Sequence, residues 1–369
     1  VVGATAGAGG LANQNVTGGS SLNLRGLGPD ATLTLLNGRR LSYGGFVQAV
    51  DISAIPVEAV DRIEIVPDGA SAIYGSDAVG GVGNVILKRD YDGAKVGVRY
   101  GGATDGGLTT REYTATAGTT WSSGGLLATF QNTSTGPIYA RQRDYTDYMF
   151  DPTTLYPRND LHSGLVSLHQ SMGDAVEARL DALGTNRAQT MYPWNTGLSS
   201  SYFELVPNTE TRLVAPGVDI SMAGDWTLSL GGSWGRDKSV LRQSAVDIAS
   251  AGRRVVMHEC YCNRAVSWEV GAEGPVVSTP GGDARLAIGA GGRKNEFTDR
   301  NLLTGTDAIQ GEERSRFAYA ELHLPLVGSD HRIAGIRRLD MTAAVRAEHY
   351  DSFGGVTTPK LGLVYRPDE

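Results

Sequence analysis

The run Val60-Asp61-Arg62-Ile63-Glu64-Ile65-Val66-Pro67-Asp68-Gly69-Ala70-Ser71-Ala72-Ile73-Tyr74-Gly75-Ser76-Asp77-Ala78-Val79-Gly80-Gly81-Val82-Gly83-Asn84-Val85-Ile86-Leu87-Lys88 joins two strand patterns through a turn of small residues. Arg62 to Val66 alternates polar and apolar side chains, the period of a half-buried strand. Ala70 to Tyr74, held between Gly69 and Gly75, has room for one helical turn, and Val82 to Leu87 resumes as a strand.

Upstream, Pro56 followed by Val57-Glu58-Ala59 suits the first turn of a helix, where a fixed φ and an early acidic residue are favourable. Leu22 to Leu27 and Ala31 to Leu36 predict two further strands, the second closed by Asn37-Gly38, a strong hairpin signal expected to act as a turn and nothing more. Residues 1 to 20 are Gly-rich and weakly patterned. Gly3 to Gly10 does not complete a Gly-x-Gly-x-x-Gly fingerprint, and no Lys-Ser/Thr pair follows to meet a nucleotide. Together these segments predict a compact mixed α/β unit closing near Lys88-Arg89-Asp90, with a domain boundary after residue 92.

From residue 93 to 369 the pattern changes to long alternating strands. Trp226, Leu228, Leu230, Gly232 and Trp234 share one face against Thr227, Ser229, Gly231 and Ser233. Val96, Val98 and Tyr100 oppose Lys95, Gly97 and Arg99; Val176, Ala178, Leu180 and Ala182 oppose Glu177, Arg179 and Asp181. Ala318 through Leu326 and Met341 through Ala347 repeat the alternation, the latter opposing Thr342, Arg346 and Glu348. Several runs reach the roughly 9 to 11 residues that a tilted membrane strand needs, with aromatic residues near their ends. A sheet in hydrocarbon must close on itself, so a membrane reading predicts a barrel. About ten or eleven strands are expected by alternation, with long irregular loops near 135 to 160, 190 to 210, 238 to 284 and 298 to 314 and short joins such as Ala223-Gly224-Asp225.

Composition narrows the function. The 50 glycines are nearly twice the usual roughly 7% of a chain of 369 residues, without a collagen period. The aromatic set leans to Tyr and Trp, and Arg greatly outnumbers Lys. A formal charge of -7 with no long basic cluster argues against nucleic acid. No segment approaches the roughly 18 apolar residues of a membrane helix, and the opening residues have no basic and apolar regions of a signal peptide. Cys260 and Cys262, two apart, sit too far apart on an ordinary strand for an easy disulfide, so a bridge needs a tight bend. A metal site would need two further ligands, for which His258 is one nearby candidate.

The quoted run resembles the C-terminal half of the plug domain of TonB-dependent outer-membrane receptors. Arg25-Gly26 with Leu33 to Arg40 resembles the plug's Arg-Gly strand and the hairpin after it, and Ile55 to Glu64 resembles the segment before its last strands. Arg314 to Leu326, and Asp351-Ser352-Phe353-Gly354 followed by Pro359-Lys360-Leu361-Gly362, are similar to mid-barrel strands of the same receptors. The resemblance implies an N-terminal mixed α/β plug, residues 1–92, followed by antiparallel transmembrane β-barrel strands, residues 93–369. The chain offers about half of the family's 22 strands, as a fragment would; ten strands alone would close to a bore too narrow for such a plug. The resemblance further implies energised uptake of a scarce solute, such as a ferric siderophore, with the TonB-ExbB-ExbD complex, outer-membrane lipid and a small solute as partners, an outer-membrane location, a monomeric state, and neither cofactor nor metal.

Candidate plug and barrel-contact residues are Arg25, Gly26, Arg62, Glu64, Gly75, Gly80 and Gly81. Arg62 and Glu64 share a face of their strand and are expected to meet charged partners on the barrel wall, the plain alternative being ordinary polar strand residues. The glycines allow sharp turns and close approach to the wall. Arg141, Arg143, Tyr145 and Tyr148, with Tyr139 and Tyr156, lie in the first long loop and could meet an aromatic or anionic ligand, though the rings could equally pack on one another. Enzymatic patterns are poor: His162, His169, His258, His323, His331 and His349 show no tight ligand spacing, Ser71 lies outside any Gly-x-Ser-x-Gly, and Asp68 with Asp77 is a carboxylate pair only by proximity. A different class remains open, an extracellular adhesive or structural β-sandwich whose polar strand faces meet water.

Overall fold

The computed structural model describes residues 18–45, 49–67, 71–194, 200–328 and 335–367. The Gly3 to Gly10 segment, Asp68 and His331 lie outside them.

Four strands make the N-terminal sheet: β1 (Thr32–Leu36), β2 (Arg39–Arg40), β3 (Val60–Val66) and β4 (Gly81–Leu87), in the order β2-β1-β4-β3. β1 runs parallel to β4, and the other pairs are antiparallel. Asn37 and Gly38 both take positive φ, 47° and 77°, the twist that a two-residue hairpin between right-handed strands requires. A single turn, α1 (Ser71–Tyr74), follows the quoted strand as expected, and Val57–Ala59 forms a 3-10 turn behind Pro56. Leu22 to Leu27 is not a strand. Arg25 and Gly26 have φ of 60° and 71°, which bend the segment into a turn that no strand could contain.

Gly93 begins a second sheet, of twelve antiparallel strands. They are β5 (Gly93–Gly101), β6 (Thr110–Trp121), β7 (Gly124–Thr135), β10 (Arg158–Met172), β11 (Val176–Thr190), β12 (Ser201–Met222), β13 (Trp226–Asp247), β14 (Arg253–Thr279), β15 (Gly282–Asn301), β16 (Thr306–Val327), β17 (Arg338–Tyr350) and β18 (Gly354–Arg366). A short hairpin, β8 (Ile138–Tyr139) with β9 (Thr154–Tyr156), decorates the loop between β7 and β10. Each long strand pairs with its neighbours in sequence, and the edges β5 and β18 are not paired with each other, so the sheet is an open partial wall.

Two loop expectations are overturned. Residues 238 to 284 and 298 to 314 belong almost entirely to strands: β14 runs for 27 residues and β13 and β16 for 22 each, far beyond what crosses a bilayer. Where both faces of a hairpin meet water, its inward and outward positions share one solvent. The polar and apolar alternation then fades without the strand ending, and this is why periodicity read these stretches as irregular. Ser201 to Glu210 is likewise strand, whereas the 136 to 157 segment is a loop as expected.

The faces of the wall follow the alternation. Val96, Val98 and Leu361 are 83, 78 and 76% exposed on the convex side, where no second sheet covers them among the described residues. The concave side holds the N-terminal unit. It is not uniformly polar: Leu165, Leu183 and Leu213 stand opposite one another across β10, β11 and β12. With Leu127 they pack against Leu36, Ile55, Ala59, Val85 and Leu87 in one buried cluster. The inner face of β11 begins with Glu177, Arg179 and Asp181 and turns apolar with Leu183, its fourth inward residue.

Candidate functional site: the seam between the N-terminal unit and the wall

Away from the leucine seat, the two sheets meet through charged and polar side chains. Gly75, at φ 96°, ends α1 and brings the following 3-10 turn, Ser76–Ala78, against β15 and β17; a Cβ at Gly75 would stand 2.9 Å from Glu348 Oε2. Asp77 then accepts from Arg40 on β2, from Tyr43 Oη at 2.9 Å and from Arg293 Nη1 on β15 at 3.0 Å. Arg293 also donates to Glu348 and to Ser315 Oγ, while Arg346 donates to Glu348 Oε2 at 2.8 Å and to the Ile73 carbonyl at 2.6 Å. Ser76 Oγ and Tyr350 Oη are 2.7 Å apart. Arg346 lies over the Phe317 ring, 3.8 Å from its centroid.

Arg293, Glu348 and Arg346 side chains are only 7, 4 and 3% exposed, so these charges have left water and depend on one another. Burial alone would push the Asp77 carboxyl up; Arg40 and Arg293 outweigh that and hold it well below the usual carboxylate range. The Tyr43 hydroxyl is pushed up by burial and then by Asp77, so it stays a donor.

Further ties ring the unit. Asp51 caps the 3-10 turn Ile52–Ala54 through the Ser53 amide, and its second oxygen accepts from Arg187 Nη2 on β11 at 2.9 Å. Asn37 Nδ2 donates to Asp181 at 2.9 Å while its oxygen accepts from the Leu87 amide. Asn37 is therefore both the hairpin turn and a link to the wall, more than the sequence expectation allowed. Gly45 offers its amide to Asp237 and its carbonyl to Asn263. Lys95 on β5 pairs with Glu58 at 2.8 Å. Between β2 and the wall, Arg40, Leu41, Tyr43, Ser233, Ala265, Val266, Ser267, Arg293 and Asn295 line a small gap with a cavity volume of about 10 Å³.

The residues singled out from sequence divide. Gly75 does approach the wall, whereas Gly80 and Gly81 pack inside the N-terminal unit: a Cβ at Gly80 would meet the Ala31 carbonyl and one at Gly81 the Val66 carbonyl. Arg62 and Glu64 do not meet the wall. They pair with each other at 2.7 Å, and Arg62 with Asp61, at 58 and 47% exposure on the sheet's outer strand β3. Arg25 and Gly26 lie in an exposed turn.

In the upper loop, Arg141 pairs with Asp151 and covers the Tyr139 ring at 4.5 Å, and Arg143 donates to the Asp105 and Gly106 carbonyls. Tyr148 packs edge-on against Trp194 at 6.4 Å, while Tyr145 is exposed. Both arginines thus brace loops, and ring packing accounts for Tyr148. Cys260 and Cys262 are joined by a disulfide with Cα atoms 5.6 Å apart, a spacing within the range that a bridge spans, so the expected separation on the strand is corrected and neither thiol is available to a metal.

Arg346 and Glu348 were legible only as polar-face residues, and Arg293 was not singled out. Their signal is that charged residues occupy inward positions of the wall strands, and Arg346 and Glu348 do so two apart on one strand.

Residues 1–82 match the family described as TonB-dependent Receptor Plug Domain. Among solved structures, the siderophore receptor PirA of Acinetobacter baumannii aligns at 15% identity with a TM-score of 0.70, over 93% of this chain and 52% of that one. A mutant ferric enterobactin receptor, PfeA of Pseudomonas aeruginosa, aligns at 15% identity and 0.66, over 92% and 52%. The unliganded ferric citrate transporter FecA aligns at 13% identity and 0.55, over 94% and 67%. The chain spans about half the length of the two siderophore receptors it matches. It carries a TonB-dependent receptor plug domain, seated against wall strands that have the fold of these outer-membrane receptors.

Proposed function

We propose that this chain is the plug and first part of the barrel of a receptor for energised uptake across the outer membrane, the plug occupying residues up to 92 and the barrel wall starting at 93. The observation that carries this is the seam itself: an ionic network of Asp77, Arg40, Arg293, Glu348 and Arg346 joins the plug to the wall. Ion pairs and short polar side chains can exchange partners with water at modest cost, so this side of the plug can part from the wall without exposing a dry core. The exposed apolar convex face, which a sandwich would bury under a second sheet, instead fits lipid.

Force delivered by the TonB-ExbB-ExbD complex would bias the plug toward the parted state, and a scarce solute, such as a ferric siderophore, would pass the seam. No covalent chemistry is required. Among the described residues no cluster of three or more His, Cys, Asp or Glu is arranged to hold a metal.

The test is a reversible lock. A Cβ at Gly235 would stand 3.2 Å from Ser42 Cβ, close to the spacing of a disulfide. In cells expressing the intact receptor with Ser42→Cys and Gly235→Cys, uptake of radioiron supplied as ferric enterobactin or ferric citrate should be lost on oxidation and return with reductant. It should also stop with a protonophore. Uptake that continues through the locked receptor would refute the gating role.

A further inference from the structure

Residues 39 to 45 of the plug lie along the inner face of β13, and only one end of this strip is fastened there. A Cβ at Gly231 would overlap the Arg39 guanidinium, and one at Gly235 would stand 3.2 Å from Ser42 Oγ. At the end away from the short turn before Trp226, Gly45 donates its amide to Asp237 Oδ1 at 3.2 Å, and its carbonyl accepts from Asn263 Nδ2 at 2.7 Å. Asp237 and Asn263 are direct partners across β13 and β14. Below them the same strands present Gly235 with Ala265 and Ser233 with Ser267, and the two serine hydroxyls, 2.8 Å apart, bond each other. Among the described residues no hydrogen bond or ion pair joins residues 39 to 44 to β13 or β14; the hydroxyl of Ser42, a residue 5% exposed, has no partner at all.

Asp237 is 2% exposed and has no cation beside it among the described residues. A carboxylate buried without a counter-charge is costly and must be held by what donates to it. Its donors are all neutral: the Gly45 amide, Thr211 Oγ1 at 2.7 Å and Ser239 Oγ at 3.1 Å. A hydrogen bond to an ionised acceptor is about twice as strong as a neutral one, so a single backbone amide suffices to fasten the strip. Once Gly45 leaves, water reaches the carboxylate and restores its hydration, which makes the grip firm when dry and releasable when wet. The grip is separate from the Asp77 network, whose wall partner Arg293 stands on β15.

We propose that Asp237 and Asn263 are the latch of the seam, positioning residues that hold the strip Arg39 to Gly45 on β13 and must release Gly45 before this side of the plug can part from the wall. This rests on the gating reading above. Because the strip below Gly45 meets only Gly, Ala and Ser on β13 and β14 and is tied to none of them, loss of the two latch bonds frees its whole length.

The experiment places a reporter, Ser42→Cys, in the intact receptor in cells and follows its labelling by N-ethylmaleimide; Cys260 and Cys262 are joined to each other and stay silent. With a protonophore present there is no pull on the plug, and the reporter should label slowly. Adding Asp237→Ala with Asn263→Ala should speed that labelling at least about tenfold, the scale of two net hydrogen bonds. Each alanine alone should give a smaller rise, which keeps the test open if the pair disturbs assembly. Asp237→Asn, whose carbonyl still accepts from Gly45, should stay slow. So should Asp181→Ala, which removes the Asn37 tie on the leucine side. Heat-modifiable migration on gels should be kept throughout, which shows the barrel intact. Labelling of the latch variants no faster than the reporter alone, acceleration by Asp181→Ala to the same degree, or an Asp237→Asn as fast as the alanine would each overturn the proposal. A reporter that labels no faster in energised cells than with the protonophore would instead overturn the gating reading, since the latch comparison is made without energy.

Discussion

Replacing Asp77 by Asn tests the seam most directly. Removing one member of a buried ion pair usually costs about 3 to 5 kcal/mol because the partner is left charged and dry. Here the loss is softened, since Arg293 keeps Glu348 and Arg40 keeps the Tyr74 carbonyl, and Asn can still accept from Tyr43. About 2 to 3 kcal/mol is then expected, which shifts a two-state equilibrium roughly 30- to 150-fold toward the parted plug. Hydrogen exchange reads this shift in the segment 71 to 81 of the intact receptor in detergent, where protection should fall by that factor while β10 and β11 stay unchanged. Asp61→Asn is the control: its partner Arg62 is exposed and water screens the pair, so protection should stay close to wild type. If Asp77→Asn leaves the 71 to 81 segment as protected as wild type, or if Asp61→Asn matches it, the ionic seam does not hold the plug.

Acid should act on the same bond. The Asp77 carboxyl sits below its unfolded value, so its contribution is complete above about pH 4 and is lost as pH falls through the folded value; the protection gap between wild type and Asp77→Asn should close over that range. Leu183→Ala opens a cavity between Leu165, Leu213 and the plug core, and should lower the unfolding free energy of the receptor by about 2 to 5 kcal/mol in denaturant titrations. Gly75→Ala combines a left-handed φ of 96° with a Cβ 2.9 Å from Glu348, so it should expose the Ser76–Ala78 turn to exchange even though it adds one methyl group, whereas Gly38→Ala, which meets no atom within 4 Å, should bear only the backbone strain.

What could be read from sequence was whatever a local period or turn encodes. The outward faces of β5, β11, β13, β16 and β17 follow from alternation because their outward positions are apolar at nearly every second residue. β1, β3 and β4 with α1 follow from short strand patterns bounded by Gly and Pro. Partners across the seam could not be read. Asp77 and Arg293 are 216 residues apart, and which inward charge meets which plug residue depends on stacking six or more strands in register. Arg62 and Glu64 show the converse: a tidy pair on one face satisfies itself locally, and the outer strand of the plug sheet gives it no wall among the described residues. The Asp237 and Asn263 pair is likewise visible only once register places the two side by side against Gly45.

The two sides of the plug differ in what separating them costs, and the difference sets the order of opening. Burial of Leu127, Leu165, Leu183 and Leu213 against the plug is worth about 1.5 to 3 kcal/mol per side chain as an upper bound, and water offers nothing in return when that seat opens. The ionic side nets far less, since hydration repays much of what parting Asp77 from Arg293, and the Ile73 carbonyl from Arg346, removes. A pull on the plug should therefore part it from β13 to β17 while it stays on the leucines of β7 and β10 to β12. Asn37 and Asp181 lie on the leucine side, 2.9 Å apart at their polar atoms. Bridging Asn37→Cys to Asp181→Cys with a short bifunctional thiol reagent should leave most uptake intact, while the Ser42 to Gly235 lock abolishes it. Equal loss from both tethers would mean that the plug leaves its seat as one body, and the energetic asymmetry would then have no part in opening.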